Sequence, residues 1–482
     1  MDSKAAGPYR GMRRPRLVVL LLSSAQFMLV FDAAVLFLAL PKIQATFGLS
    51  PTNLQWVVTA YALTFGGFML IGGRAADLYG RRRVFTAGVL SFSLSSLAAG
   101  ASVTGAMLVA ARAIQGLSGA FMAPAALALL TTTFPPGANR NRALAINGIM
   151  VSTGFVAGFI LGGILTTVVS WRAGLLINVP IGIVVALVAR TIIVDDRNDR
   201  FACRIDVAGA ALVTSGVVAL IYAIAAWGGG GGTLRVVSSL SVGAALLGAF
   251  VVSDGRAIAP LVPRRLLADR AVSAGSATAA LATGSAAGTL LLLTLYLQQV
   301  LGYAPIAAAL VLTALGGGAL LGGALASGLV SRWGPTKTLT RGLMVQGGGT
   351  LALAGISRHG NLTLLLTAST LDDFGFVIAS VSATIVVTSA VTNADQGIVG
   401  GGLNAAIELG SGLGVALAVA VATLTVSGSP PTYPGVGPHA AELLAGVRRA
   451  MLVCASVVGL ATVVSLLVPS SARARGFTDR LR

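Results

Sequence analysis

The charged residues of this chain fall in short clusters, and between the clusters run apolar stretches of about 17 to 30 residues, each long enough to cross roughly 30 Å of hydrocarbon. A chain with many such stretches cannot hide them in a water-soluble core. Only 10% of the 482 residues are Asp, Glu, Lys or Arg and 55% are apolar, against roughly 25% charged in ordinary globular domains. Mean hydropathy is +0.89. In lipid every backbone N–H and C=O must find its partner inside the protein. Uninterrupted stretches of this length therefore form helices, and the chain reads as an all-α polytopic membrane protein.

The net charge of +18 and isoelectric point near 11.3 would suggest nucleic acid as partner for a soluble chain. Here the basic clusters fall in the loops between spans, where Lys and Arg act as orientation signals, so nucleic-acid binding is set aside. The two cysteines, Cys203 and Cys454, lie in a loop and in a span, which allows neither a disulfide framework nor a metal-ligand spacing. The stretch Leu17 to Leu40 follows a basic head as a signal peptide would. It is about 24 residues long and lacks a small-residue cleavage site before Pro41, so it reads as a retained first helix.

Apolar stretches bounded by Pro, Gly or charge predict fourteen helices, arranged six, two and six. The expected organisation is a cytoplasmic tail (1–16), a six-helix half (17–194), a linker with two inserted spans (195–270), a second six-helix half (271–468) and a cytoplasmic tail (469–482). With the N-terminus inside, about four in five of the 33 Lys and Arg fall on the cytoplasmic side. Only Lys42, Arg172, Arg235, Arg358, Arg448 and Arg449 fall outside, and Arg112 alone lies inside a helix. Both termini are therefore expected in the cytoplasm of a plasma (inner) membrane. Cysteine labelling should place Arg140, Arg200, Arg265 and Arg475 inside, and Thr233 and Tyr433 outside. Finding Thr233 and Arg265 on one side would remove the fourteen-helix reading.

The loop after the second helix reads Gly73-Arg74-Ala75-Ala76-Asp77-Leu78-Tyr79-Gly80-Arg81-Arg82-Arg83. A Gly-x-x-x-Asp-x-x-Gly-Arg-Arg run between two spans supplies a tight turn, a carboxylate that can face a helix N-terminus, and arginines that can answer it. Such a cluster can latch a cytoplasmic gate, with Gly73, Asp77, Gly80, Arg81 and Arg82 as its parts. The run resembles the signature loop of the major facilitator superfamily.

Further segments resemble that superfamily's fourteen-helix drug:proton antiporter branch. They are Asp32 to Pro41 in the first helix, Arg112-Ala113-Ile114-Gln115-Gly116 in the fourth, Trp171-Arg172 with Ile177-Asn178-Val179-Pro180-Ile181-Gly182 at the sixth, and Tyr296 to Gly302 at the end of the ninth. Phe37 stands where the first-helix motif usually has Asn. The fifth-helix motif appears as Gly154, Gly158, Gly162 and Gly163, a spacing that permits close helix packing, with Phe159 in place of the usual Pro. The resemblance implies a major facilitator fold and proton-driven export, with Arg112 helping to couple proton release to the conformational change.

Charges inside a membrane are costly, so they are expected to be functional or paired. Four acids fall within the spans: Asp32, Asp372, Asp373 and Glu408. Asp32 and Glu408 lie within about 5 Å of the centres of their helices and are read as cavity carboxylates for a proton or a cationic substrate. Glu408 stands where the branch more often has Gln. Asp372 and Asp373 are about 100° apart on one helix and cannot share a face. Arg112 needs a carboxylate or backbone carbonyls as partner. Both histidines, His359 and His439, fall in external loops, which leaves proton coupling to carboxylates.

No phosphate-binding Gly-Lys-Ser/Thr loop is present, so ATP hydrolysis is not expected, and no cofactor or metal is required. The expected partners are a small lipophilic or cationic substrate, protons and the lipid bilayer. The sequence leaves oligomeric state open. Metabolite uptake or facilitated transport is the nearest alternative, and a non-transporting membrane receptor or interaction protein a remote one. No constellation of nucleophile, base and acid suggests an enzyme.

Overall fold

The computed structural model describes residues 15–134, 138–193, 207–228, 232–254, 264–391, 395–424 and 438–469. Most of the two tails, the whole of the 195–206 and 255–263 loops, and Tyr433 and Arg475 lie outside the described residues, and with those loops Arg200 and Cys203.

The described elements are all helical. They are α1 (Pro15–Phe47), α2 (Pro51–Leu54), α3 (Trp56–Tyr79), α4 (Arg81–Gly100), α5 (Gly105–Thr133), α6 (Ala138–Val168), α7 (Trp171–Leu176), α8 (Asn178–Ile192), α9 (Val207–Gly228), α10 (Thr233–Asp254), α11 (Arg264–Leu267), α12 (Arg270–Leu295), α13 (Pro305–Trp333), α14 (Pro335–Leu353), α15 (Leu362–Ser389), α16 (Gln396–Thr423) and α17 (Pro438–Leu466). One π-turn, Tyr296–Val300, prolongs α12. Thirteen of these helical runs are long and apolar enough to cross a membrane, with α2 joining α3 and α7 joining α8. The fourteenth span is α14, which carries Lys337, Arg341 and Gln346 and is the least apolar by composition. It packs against α15 and α17, with Thr338, Gln346 and Thr350 buried and Lys337 and Arg341 exposed.

The helices start where side chains take up free N–H groups. Thr104, Ser170, Asp269 and Asn361 each accept from a backbone N–H in the first turn of the helix that follows. The turns into α4 and α14 need the left-handed region, and glycine fills it at Gly80 (φ +94°) and Gly334 (φ +80°). Proline lies within α1 (Pro41) and α5 (Pro124), each removing one backbone hydrogen bond.

The chain divides into two compact units: residues 1–215 with 297–313 and 428–436, and residues 216–296 with 314–427 and 437–482. In the first, α1 packs on α6, α3 on α5, and α4 on both α5 and α8. Its apolar interior is built from Leu22, Met28, Leu29, Phe85, Phe92, Met122 and Leu129 among others. In the second, α14 packs on α15, and α12 on α16 and α17. Leu339, Leu343, Ala379, Ala383, Leu403 and Val458 form part of its core.

Candidate functional site

The first unit encloses a polar network in an otherwise apolar bundle. Arg112 and Gln115, one turn apart on α5, project from the same face. Arg112 Nη1 donates to Asp32 Oδ2 on α1 and, at 2.6 Å, to Gln115 Oε1. Its Nε donates to the Val57 carbonyl of α3 at 3.1 Å. The guanidinium lies 4.5 Å from the Tyr61 ring centroid, within cation–π range. Asp32 Oδ1 accepts from Gln115 Nε2 and from Asn178 Nδ2, both at 2.8 Å. Gln115 Nε2 also reaches Ser96 Oγ on α4 at 2.7 Å. Asp32 is 0% and Arg112 1% exposed, so the pair is shielded from solvent on all sides.

Backbone geometry makes this reach possible. A methyl on Gly116 would lie 2.2 Å from the Tyr61 carbonyl, so only glycine lets α5 approach α3 this closely. Thr64 Oγ1 bonds the Ala113 carbonyl across the same seam at 2.8 Å. Asn178 opens α8 just after the break at Ile177, which turns its amide toward α1.

The glycines of α6 sit against α1 beside the same carboxylate. Methyl groups on Gly154, Gly158 and Gly162 would come within 2.9 Å of Phe27 O, 2.8 Å of Phe31 O and 3.0 Å of Val35 Cα. Gly163, on another face, lies against Ile306 and Ala309.

In the loop cluster, Asp77 ends α3 and accepts from Arg81 Nε and Nη2 at 3.1 and 2.9 Å. Gly80 makes the turn between them. Arg82 donates to the Ile193 carbonyl at 2.9 Å, satisfying the C-terminal end of α8. Gly73 faces Pro124 of α5 at ordinary contact distance. Asp77 is largely exposed, and exposed pairs contribute about 0.2–1 kcal/mol, so this pair adds little to stability. Asp77→Asn is accordingly expected to leave the thermal midpoint nearly unchanged while lowering transport severalfold. Membrane level and uptake rate, measured on the same preparation, check this. Unchanged transport would reduce the loop to an orientation signal.

The second unit holds the other three acids. Asp372 Oδ1 lies 2.5 Å from Thr350 Oγ1 on α14, at 1% exposure. Asp373, on the neighbouring face, is 8% exposed, and its Oδ2 has no hydrogen-bond partner among the described residues. Glu408 is partly buried on α16. Among the described residues no Lys or Arg is paired with any of these three. The structure thus joins Asp32 to Arg112 and leaves Asp372, Asp373 and Glu408 without an ion-pair partner among the described residues. Asp32, read from the sequence as a cavity carboxylate, is held by Arg112, Gln115 and Asn178, and Asn178 Oδ1 has no hydrogen-bond partner among the described residues.

Gln115 and Asn178 lie inside the motif segments yet carried no assigned role in the sequence. Their signal was the amide side chain in an apolar run. Ser96 and Thr350 had no signal, since hydroxyls are common in spans and bond their own helix.

A bundle of this kind, with membrane-length helices in two units and a buried ion pair, defines a polytopic transporter. The chain belongs to the major facilitator superfamily, whose family description matches residues 22–415. It is 35% identical over 398 residues to the puromycin resistance protein pur8 of Streptomyces alboniger, covering 82% of this chain and 78% of that one. It is 41% identical over 295 residues to the cephamycin export protein CmcT of Amycolatopsis lactamdurans, covering 61% of each chain. With the lincomycin resistance protein of Streptomyces lincolnensis it shares 32% identity over 425 residues, 85% of this chain and 84% of that one. A solved bacterial homologue of the human lysosomal transporter Spinster matches with a TM-score of 0.68 at 17% identity, over 96% of this chain and 99% of that one. This last likeness shows the fold.

Proposed function

We propose that this transporter exports amphipathic drugs or antibiotics in exchange for protons, by alternating access. The reading rests most on one observation: carboxylates are buried within membrane-spanning helices, one set paired with a cation and the other not. A carboxylate in that setting must be neutralised by a proton, a partner or a cationic substrate, and exchange among these is what an antiporter requires. Relatives named for puromycin, cephamycin and lincomycin resistance or export support the substrate class.

In this reading Asp32, Arg112, Glu408, Asp372 and Asp373 serve proton coupling and the substrate path. Gly73, Asp77, Gly80, Arg81 and Arg82 form the cytoplasmic gate, and Gly154, Gly158, Gly162 and Gly163 the packing seam on which α6 moves. Residues 17–194 and 271–468 act as the two halves, 195–270 carries the inserted pair of spans, and both termini are cytoplasmic. One inward proton at about 100 mV supplies roughly 2.3 kcal/mol, enough for a substrate gradient of about fiftyfold.

Expression in an efflux-deficient host tests the substrate class. Raised growth-inhibitory concentrations for puromycin or lincomycin, lost in Asp372→Asn and Asp32→Asn, are expected. A second reading, uptake or facilitated transport by the same fold, is favoured by Phe159, which replaces the Pro usual in the fifth-helix motif. Sensitisation to a compound, in place of resistance, would support it.

A further inference from the structure

Asp32 and Asp372 differ in how their hydrogen bonds are counted. Asp32 accepts from three N–H donors, one of them cationic, and its charge is matched by Arg112. Asp372 is different. Thr350 Oγ1 lies 2.5 Å from Asp372 Oδ1 and 3.0 Å from the Gln346 carbonyl one turn back on its own helix. A hydroxyl has one hydrogen and two lone pairs, so it can donate to only one of these acceptors at a time.

Two arrangements satisfy every atom. With Asp372 protonated, the carboxyl donates to Thr350 Oγ1, which donates to Gln346 O. With Asp372 ionised, the hydroxyl rotates and donates to the carboxylate, and Gln346 O keeps its ordinary helical bond. We propose that Asp372 is the exchangeable proton site of this transporter, with Thr350 as the hydroxyl that turns over with it. The inference rests on the proton-exchange reading above.

Three features of the surroundings support it. The seam is rigid where the pair forms: methyl groups on Gly349 and Gly375 would lie 2.5 Å from the Asp372 amide nitrogen and 2.3 Å from that of Gln346, so the helices meet backbone to backbone. The unpartnered Asp373 Oδ2 beside it is a buried acceptor with room for a proton in its turn. Two adjacent buried acids do not ionise together without a cation.

The charged and titratable groups on the elements around α15 are Arg270 at the start of α12, Arg332 at the end of α13, Lys337 and Arg341 on the first turns of α14, Glu408 on α16 and His439, Glu442, Arg448 and Arg449 on α17. Arg341 is about 13 Å along α14 from Thr350. Arg448 donates to the Ala354 carbonyl, one turn beyond Thr350, at 3.1 Å. The Cys454 thiol and Thr289 complete the polar lining near Asp372, and neither supplies a positive charge.

The test is a pH titration of the full chain in lipid nanodiscs, followed by infrared difference spectroscopy at the C=O stretch of protonated carboxyls. Within the band lost as pH rises, to which Asp373 and Glu408 also contribute, the wild type is expected to show a component that is absent in Asp372→Asn and intact in Asp32→Asn. Thr350→Val, which preserves shape, should shift its frequency. Persistence of that component in Asp372→Asn, or an unshifted component in Thr350→Val, overturns the assignment. A parallel measurement of puromycin-driven proton flux in proteoliposomes separates the two layers. Flux without the infrared behaviour defeats only the assignment to Asp372, whereas the infrared behaviour without flux in a chain that moves puromycin defeats proton exchange itself.

Discussion

Arg112→Ala is expected to destabilise the protein by about 3–5 kcal/mol and to abolish transport, because it leaves the buried Asp32 carboxyl without its cation. The loss extends beyond one contact. Arg112 also holds Gln115 and the Val57 carbonyl, so α1, α3 and α5 all lose a shared anchor. Arg112→Lys should rescue little, since one ammonium cannot reproduce the planar fork that reaches three acceptors and stacks on Tyr61. The informative variant is the double one. Asp32→Asn with Arg112→Gln removes both charges and should recover most of the stability lost in Arg112→Ala, because the cost lies in the unpaired charge. Thermal unfolding in detergent, read as a double-mutant cycle, measures this. Additive losses would mean that the two side chains do not interact in the membrane.

Gly158→Val is expected to be nearly as damaging, by a different route. A single methyl at this position meets Ala34 Cβ at 2.7 Å and Phe31 O at 2.8 Å. The carbonyl is part of a helix backbone and cannot rotate away, so α1 and α6 must separate. Overpacking of this kind costs about 1–3 kcal/mol. Phe31 and Ala34 flank Asp32 in sequence, so moving α1 outward also draws the carboxylate from Arg112, and transport should fall by more than stability alone explains. Gly148→Ala on the same helix serves as control. Nothing lies within 4 Å of a methyl there, and alanine favours helix by about 1 kcal/mol. Equal behaviour of the two variants, in thermal midpoint and in transport, would remove the α6 seam from the account.

These two predictions show how legible the molecule was from its sequence, and where legibility stopped. The span pattern needs only lipid thickness and backbone hydrogen bonding, both local properties, so most helices could be placed; α17 is the exception, since His439, Arg448 and Arg449, read as lying in external loops, fall inside it. Even α14, whose Lys337, Arg341 and Gln346 make it the weakest span by composition, was readable because charge clusters bound it on one side and a Gly-rich apolar run fills its middle. The spacing of Gly154, Gly158 and Gly162 likewise announced a close approach, although not its partner, which is α1.

The site was less legible because pairing across helices depends on rotation and depth, which sequence spacing leaves free. Arg112 plainly required a partner, and a carboxylate 80 positions away satisfied it. Once that pair formed, Asp32 no longer resembled a lone cavity acid. Thr350 illustrates the opposite limit. Nothing distinguishes it from any other hydroxyl in a span until Asp372 is found 2.5 Å away.

The central claim is exchange of drug for protons, and substrate-dependent proton movement across inverted membrane vesicles tests it most directly. Vesicles containing the full chain are acidified inside, puromycin is added, and internal pH and puromycin accumulation are followed together. The account predicts that puromycin enters the vesicles as protons leave, that a protonophore stops both, and that Asp372→Asn uncouples or abolishes them. Puromycin accumulation that proceeds without proton efflux and survives the protonophore would contradict it.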